Sequence, residues 1–266
     1  MMLQVNEQPY RFQPGVRALD LAAEIKPDAD VFIVNGFPVG AETILADGDC
    51  CWLIRKGERP AADEMERLLY ARHTPGVHAR IKSSFVGIMG LGGLGSVVAV
   101  SLARIGIGRL LLADFDVVEP SNLNRQQYLV SQVGMRKVDA LKENLAQINP
   151  YLDVSSINVV LTEQSIPEIF RDVDVLAECF DSAEMKAAAL RCALTRMSGK
   201  GFVGVSGVAG YEENDLITTR KIRSGVYLVG DGETAAGPGQ GLMAPRVGIA
   251  ANCQANQILR ILLGKA

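Results

Sequence analysis

Paired cysteines are missing from this sequence. Its five cysteines, Cys50, Cys51, Cys179, Cys192 and Cys253, are odd in number and include no C-x-x-C pair. That excludes a disulfide scaffold and a structural zinc site built on such pairs, and it fits the reducing cytoplasm, the expected localisation. A basic excess is missing too. The net charge of −3 gives no footprint for nucleic acid, which is not expected as a partner. Histidine is scarce: His73 and His78 fall in one loop region, and neither is assigned chemistry. No basic, then apolar, then small-residue leader opens the chain, so no secretory signal is expected. The one long uncharged run, 83–103, has the length of a membrane span. Five glycines and four serines interrupt it, and no membrane segment is expected.

What is present is concentrated in residues 85–116, FVGIMGLGGLGSVVAVSLARIGIGRLLLADFD. This stretch reads as a strand, a glycine loop, a helix and a second strand that ends in acid. Gly90, Gly92 and Gly95 fit G-x-G-x-x-G. The first allows the turn, the second lets backbone approach a phosphate, and the third lets helix and strand pack closely. The helix N-terminus then faces the anion. Asp114 stands 19 residues beyond Gly95, where such folds place a carboxylate on the ribose hydroxyls. The set argues for an adenine nucleotide and leaves NAD against ATP to the residues downstream. With 266 residues, 48% of them apolar, the chain is long enough for one full α/β domain plus a smaller one.

The smaller part comes first. Residues 2–8 and 9–13 read as strands about Asn6-Glu7-Gln8, followed by a helical patch at Leu19, Leu21, Ala22 and Ile25. Residues 31–39 and 49–55 read as two further strands, giving ββαββ. Residues 59–72 read as a linking helix started by Pro60. Beyond the nucleotide stretch, 117–128 is a polar loop and a helix runs over 134–148. Strands at 154–160, 173–178 and 201–206 alternate with helical pieces at 166–170 and 182–197. The alternation predicts an α/β fold with a doubly wound, Rossmann-like, mostly parallel sheet. A β pair is expected at 217–220 and 226–229, then a glycine-rich loop at 230–241. The last helix, from near Pro245 to Leu263, reads as hydrophobic nearly all round, hence buried or part of a subunit interface. The domains are therefore 1–58, a small α+β module; 59–80, a linking helix and loop; and 81–266, the nucleotide-binding domain.

A nicotinamide enzyme needs a pyrophosphate site, which a helix N-terminus serves without added cations. ATP attacked at its α-phosphate brings more negative charge, and calls for Arg and Lys near the triphosphate and a carboxylate for Mg²⁺. Arg125, Lys137 and Asp181 supply that set, on the sheet edge where ligands of such folds bind. Singly, Arg125 and Lys137 read better as surface charges and Asp181 as a helix cap.

Together, GLGGLGS, LLADFDVVEPSNLNRQ, GMRKVDAL, ECFDSAEMK and GLMAPRVGI resemble the ThiF/MoeB/HesA family of ubiquitin-activating-enzyme-like adenylyltransferases, over residues 66–266. Residues 1–57, with IVNG-x-x-V and the DGD before a last apolar strand, resemble the ThiS-type β-grasp (ubiquitin-like) sulfur carriers. The fusion narrows the resemblance to the ThiF-type branch associated with thiamine biosynthesis. It implies ATP-dependent adenylation of the C-terminal glycine of a small ubiquitin-like carrier protein ending in Gly-Gly, by a homodimer using ATP and Mg²⁺. It implies Gly90, Gly92, Gly93 and Gly95 at the phosphate loop, with Asp114 on the ribose and Asp116 beside it. Asn122, Arg125 and Lys137 would contact the phosphates, Asp181 would hold Mg²⁺, and Arg72 would reach the neighbouring subunit's ATP. Two departures matter. The paired zinc ligands of many relatives are missing, so no zinc is expected. Residues 193–252 hold no cysteine, which favours adenylation over sulfur relay. Gly57 is followed by Glu58-Arg59-Pro60, so the first module is expected to be a docking or stabilising appendage rather than a carrier. The alternatives are NAD-dependent redox chemistry, a relative acting on another acyl substrate, and a nucleotide-sensing scaffold.

Overall fold

The computed structural model describes residues 1–266 apart from the side chains of residues 62 and 63. Contacts divide it into two compact units, Met1–His78 and Ala79–Ala266. Most of the segment 59–80 thus counts with the first unit.

The first unit runs β1 (Met2–Val5), β2 (Gln8–Arg11), α1 (Ala18–Ile25), β3 (Val31–Val34), β4 (Phe37–Val39), β5 (Cys50–Ile54) and α2 (Ala62–Leu69). Its sheet has the order β2-β1-β5-β3-β4, with β1 parallel to β5 and the other neighbours antiparallel. The apolar face of α1, Ala18, Leu21 and Ala22, is buried with Leu3, Val5 and Leu53 of the sheet. This is a β-grasp arrangement. Residues 31–39 are not one strand, as the apolar pattern suggested. Asn35 and Gly36 take φ of 51° and 82° and fold the stretch back on itself, so that Val34 pairs with Phe37. Asn-Gly suits a tight hairpin because both central residues tolerate positive φ. Leu68 of α2, and Ala71 just after it, pack against Ile33 and the single tryptophan, Trp52. A short helix unanticipated from the sequence, α3 (Val77–Ile81), spans the division.

The second unit opens with β6 (Phe85–Met89), α4 (Gly93–Arg104) and β7 (Arg109–Asp114). It continues with α5 (Lys137–Ile148), β8 (Asp153–Asn158), α6 (Ile166–Ile169), β9 (Val175–Glu178), α7 (Ala183–Thr195) and β10 (Gly201–Val205). A hairpin of β11 (Thr218–Arg223) and β12 (Val226–Gly230) precedes the last helix, α8 (Ala244–Leu262). The sheet order is β11-β12-β10-β9-β6-β7-β8, and every pairing is parallel except β11 with β12. From β6 the chain winds outward one way through β7 and β8, then returns to β9 on the other side and winds the opposite way. The reversal between β6 and β9 opens a crevice at their carboxyl ends, the position where doubly wound sheets take ligands. Both faces of the sheet are covered, and the strands β6, β9 and β10 are apolar throughout apart from Glu178 and the glycines. Gly87 in β6 leaves the space that the ring of Phe170 fills.

The expectation of an all-round apolar α8 is corrected. Asn252, Asn256 and Arg260, spaced by four, form an exposed polar stripe, while Val247, Ala250, Ala251, Ala255 and Ile258 are buried. Among the described residues no helix is long and apolar enough to cross a membrane.

Candidate active site

A cavity of about 800 Å³ occupies the crevice, and Gly90, Gly92, Gly93, Asp114, Asp116, Arg125, Lys137 and Asp181 all line it. Spacing had singled out Gly90, Gly92 and Asp114, the charge that an ATP site needs had singled out Arg125, Lys137 and Asp181, and the family resemblance had added Gly93 and Asp116. Gly90 takes φ of 87°, and a side chain there would lie 2.9 Å from the carbonyl oxygen of Cys179. A side chain at Gly95 would collide with the carbonyl oxygen of Gly90, so the third glycine permits the close helix–strand approach and does not itself line the cavity. Gly92 is the N-cap residue of α4 and has no side chain to offer. The first N–H groups of α4 are therefore left for a ligand, and an anion is the favoured one.

The turn is held from two sides. Asp114, 8% exposed, accepts from the Leu91 N–H at 2.6 Å and the Asp116 N–H at 2.8 Å. Each oxygen keeps acceptor capacity for a hydroxyl. Tyr128 donates its hydroxyl to the Leu91 carbonyl at 2.8 Å, and burial first, then Asp114 and Asp116, push its ionisation well above the usual tyrosine range. Lys137, the first residue of α5, is buried and donates to Asp116 Oδ2 at 2.8 Å. The stem of Arg125 lies close to Gly93, and its guanidinium donates to the Ser121 carbonyl and Asn124 Oδ1. Gln126 is 7% exposed, lines the cavity, and has no hydrogen-bond partner for its Oε1.

Two expected residues are placed elsewhere. Asn122 does not line the cavity: it is 8% exposed, and its Oδ1 accepts from the Glu119 N–H at 3.1 Å, closing the tight turn at Pro120–Asn122. The Asn122 oxygen thus caps the Glu119 N–H at the start of this turn. Arg72 belongs to the first unit and is exposed. Asp181 is exposed at the rim beyond β9. Among the described residues no three His, Cys, Asp or Glu side chains converge as a metal site, so a divalent cation at Asp181 would have to draw its other ligands from water and phosphate oxygens, as Mg²⁺ does.

The wall beyond β9 and β10 was not anticipated. It includes Lys186, Gly207, Ala209, Thr234 and Ala235. Lys186 donates to Glu178 Oε1 at 3.0 Å and to the Val205 carbonyl at 2.8 Å. Burial pushes the Glu178 carboxyl above the usual carboxylate range, and Lys186 opposes that. Farther along, Arg246 donates to Asp231 Oδ2 at 2.7 Å and to the carbonyls of Glu212 and Glu213. Burial alone would raise the Asp231 carboxyl, but the Thr234 hydroxyl, the N–H groups of Glu233 and Thr234, and Arg246 bring it down to about 2. The signal for both was a cation near the start of a helix, where the helix dipole disfavours it. Burial raises the thiols of Cys51, Cys179 and Cys192, which keeps them protonated and weakly nucleophilic.

The doubly wound sheet and its glycine turn put the second unit among nucleotide-binding folds, and the comparisons give it a family. Residues 70–266 match the ThiF family, and residues 1–57 match the ThiS-like ubiquitin family. The chain belongs to the ThiF family and carries a ThiS-like ubiquitin fold in front. It is 33% identical over 198 residues to a molybdopterin-synthase adenylyltransferase of Haemophilus influenzae, covering 69% of this chain and 76% of that one. It is 39% identical over 127 residues to ubiquitin-like modifier-activating enzyme 5 of Arabidopsis thaliana, covering 42% of this chain and 30% of that protein. The fold is shared with the tRNA N6-threonylcarbamoyladenosine dehydratase of E. coli, solved in complex with ATP, at a TM-score of 0.65, 21% identity, and coverage of 74% and 93%.

Proposed function

We propose that this protein binds ATP in the crevice and adenylates the C-terminal carboxylate of a small ubiquitin-like carrier protein ending in Gly-Gly. The observation that carries this reading is the convergence of the glycine turn, the α4 N-terminus, Arg125, Lys137 and Asp181 on one cavity. A dinucleotide site has no need of two added cations, whereas a triphosphate does. The named activity of the Haemophilus influenzae relative, an adenylyltransferase, points the same way.

In the reaction, a carboxylate oxygen of the carrier attacks the α-phosphorus in line. The bond from that phosphorus to the bridging oxygen breaks, and pyrophosphate leaves with the electron pair. The nucleophile is already an anion, so no general base is required, and the protein contributes positioning and charge stabilisation. The α4 N–H groups and Arg125 hold phosphate oxygens, Lys137 balances developing charge, and Asp114 accepts from the ribose. Asp181 would hold Mg²⁺, whose chemistry there would be to neutralise charge on the leaving pyrophosphate. The ThiS-like first unit supports a carrier of the ThiS type and a place in thiamine biosynthesis. The protein acts as a homodimer, with Arg72 reaching the neighbouring subunit's ATP, and needs no zinc.

The test is ATP–pyrophosphate exchange with Mg²⁺, with and without a purified ThiS-type carrier. Carrier-dependent exchange is expected. ATP binding with no exchange for any Gly-Gly carrier would instead favour a nucleotide-sensing scaffold.

A further inference from the structure

Lys186 lies outside the phosphate-binding set, and nothing in the reaction above uses it. It sits one turn into α7, lines the cavity, and its side chain is 25% exposed. Its partner Glu178 is 2% exposed and fully engaged: Oε1 also accepts from the Phe180 N–H at 2.8 Å, and Oε2 from the Val205 N–H at 3.3 Å. The ammonium is thereby fixed between the ends of β9 and β10. Two of its three donors are used, by Glu178 and by the Val205 carbonyl, and an ammonium carries a third. An ordinary solvated lysine would not be tied in this way to a carboxylate that burial already disfavours as an anion.

Position decides what the third donor meets. The phosphate turn follows β6, Asp114 ends β7, Asp116 follows it and Lys137 pairs with Asp116; β9 and β10 lie on the other side of β6. The Lys186 ammonium reaches the Val205 carbonyl, and Ser206, Gly207, Val208 and Ala209, next along the chain, line the same cavity, with the loop at Asp231 and Gly232 packed directly against Gly207. Resting on the adenylation reading, we infer that Lys186 contacts the acyl end of the bound substrate, first its carboxylate and then the carbonyl oxygen of the acyl-adenylate, and that Glu178 is the positioning residue that aims it. The pair makes this part of the cavity selective for an acyl group carrying an oxygen at that point. The nucleotide is held without it.

The test compares AMP with a Gly-Gly sulfamoyl adenosine, a stable analogue of the acyl-adenylate, by calorimetry on the full chain. The wild-type protein is expected to bind both, the analogue more tightly. Lys186→Met is expected to leave AMP affinity within about twofold and to weaken the analogue by roughly tenfold or more, the size of one charge-assisted hydrogen bond. Lys186→Arg is expected to recover most of that loss. Retained AMP binding serves as the check on folding; if Lys186→Met does not fold, Lys186→Gln, which keeps a donor and loses the charge, decides the matter by the same ratio. An equal loss for both ligands, a loss for AMP alone, or no loss for the analogue would overturn the assignment. If the wild-type protein binds neither ligand, the adenylation reading itself falls, and the assignment with it.

Discussion

Lys137 and Arg125 meet the same cavity in different ways. Lys137 is buried and already paired with Asp116, so a phosphate arriving there shares a cation that is fixed in place and costs little to order. Arg125 is half-buried and tied to its own loop by Ser121 and Asn124, so its guanidinium keeps donors for an incoming ligand. Replacing either by Ala is expected to lower carrier-dependent pyrophosphate exchange by roughly a hundredfold or more, by comparison with the loss of one preorganised donor to a developing charge. Unchanged exchange in Arg125→Ala or Lys137→Ala, with the variant folded, would remove that residue from the site. The glycines and Asp114 were legible because the tight turn from β6 into α4 and the carboxylate that holds it impose fixed spacing. Asn122 was legible only in part, because an asparagine after Glu-Pro-Ser caps a turn through its oxygen as readily as it offers its amide N–H groups to a phosphate.

Three helices that start at this sheet edge share a pattern. Each places a cation in its first or second turn, and each cation meets a carboxylate at or just past the end of a strand. Lys137 of α5 pairs with Asp116 after β7, Lys186 of α7 with Glu178 of β9, and Arg246 of α8 with Asp231 after β12. A cation there opposes the helix dipole and needs such a partner. The third pair ties the start of the loop that lines the cavity at 232–236 to α8, and its side chains are 3% and 8% exposed. Arg246→Met is expected to cost about 3–5 kcal/mol, the range for removing one member of a buried pair, read by urea unfolding. Asp231 also makes stability depend on pH. Its folded-state value, about 2, lies below that of the unfolded chain, so its contribution is present above about pH 4 and is lost as pH falls toward 2. The wild-type protein should lose roughly 1–2 kcal/mol more than Asp231→Asn between pH 4 and pH 2. Parallel unfolding curves for the two proteins across those pH values would contradict it. The alternation of strands and helices was legible from apolar periodicity, but the pairs were not, because they join residues far apart in the chain. The hairpin at Asn35-Gly36 was also missed: four apolar residues before it and three after it gave the appearance of one strand, although the dipeptide itself marks a turn.

At the scale of the molecule, two compact units with separate cores share one chain. The proposed ligands belong to the second. At a hundredfold excess over its dissociation constant, ATP is expected to stabilise the unit that binds it by about 2.7 kcal/mol, visible as a raised transition in far-ultraviolet circular dichroism, to which the longer helices of the second unit contribute most. No shift at saturating ATP and Mg²⁺ would count against nucleotide binding. Trp52, packed with Ile33, Leu68 and Ala71 in the first unit, is the chain's one indole. Its emission is therefore a natural optical label for the ubiquitin-like unit alone. A single sample, followed at once by fluorescence and by dichroism, reports when each unit melts without any dye, tag or engineered probe.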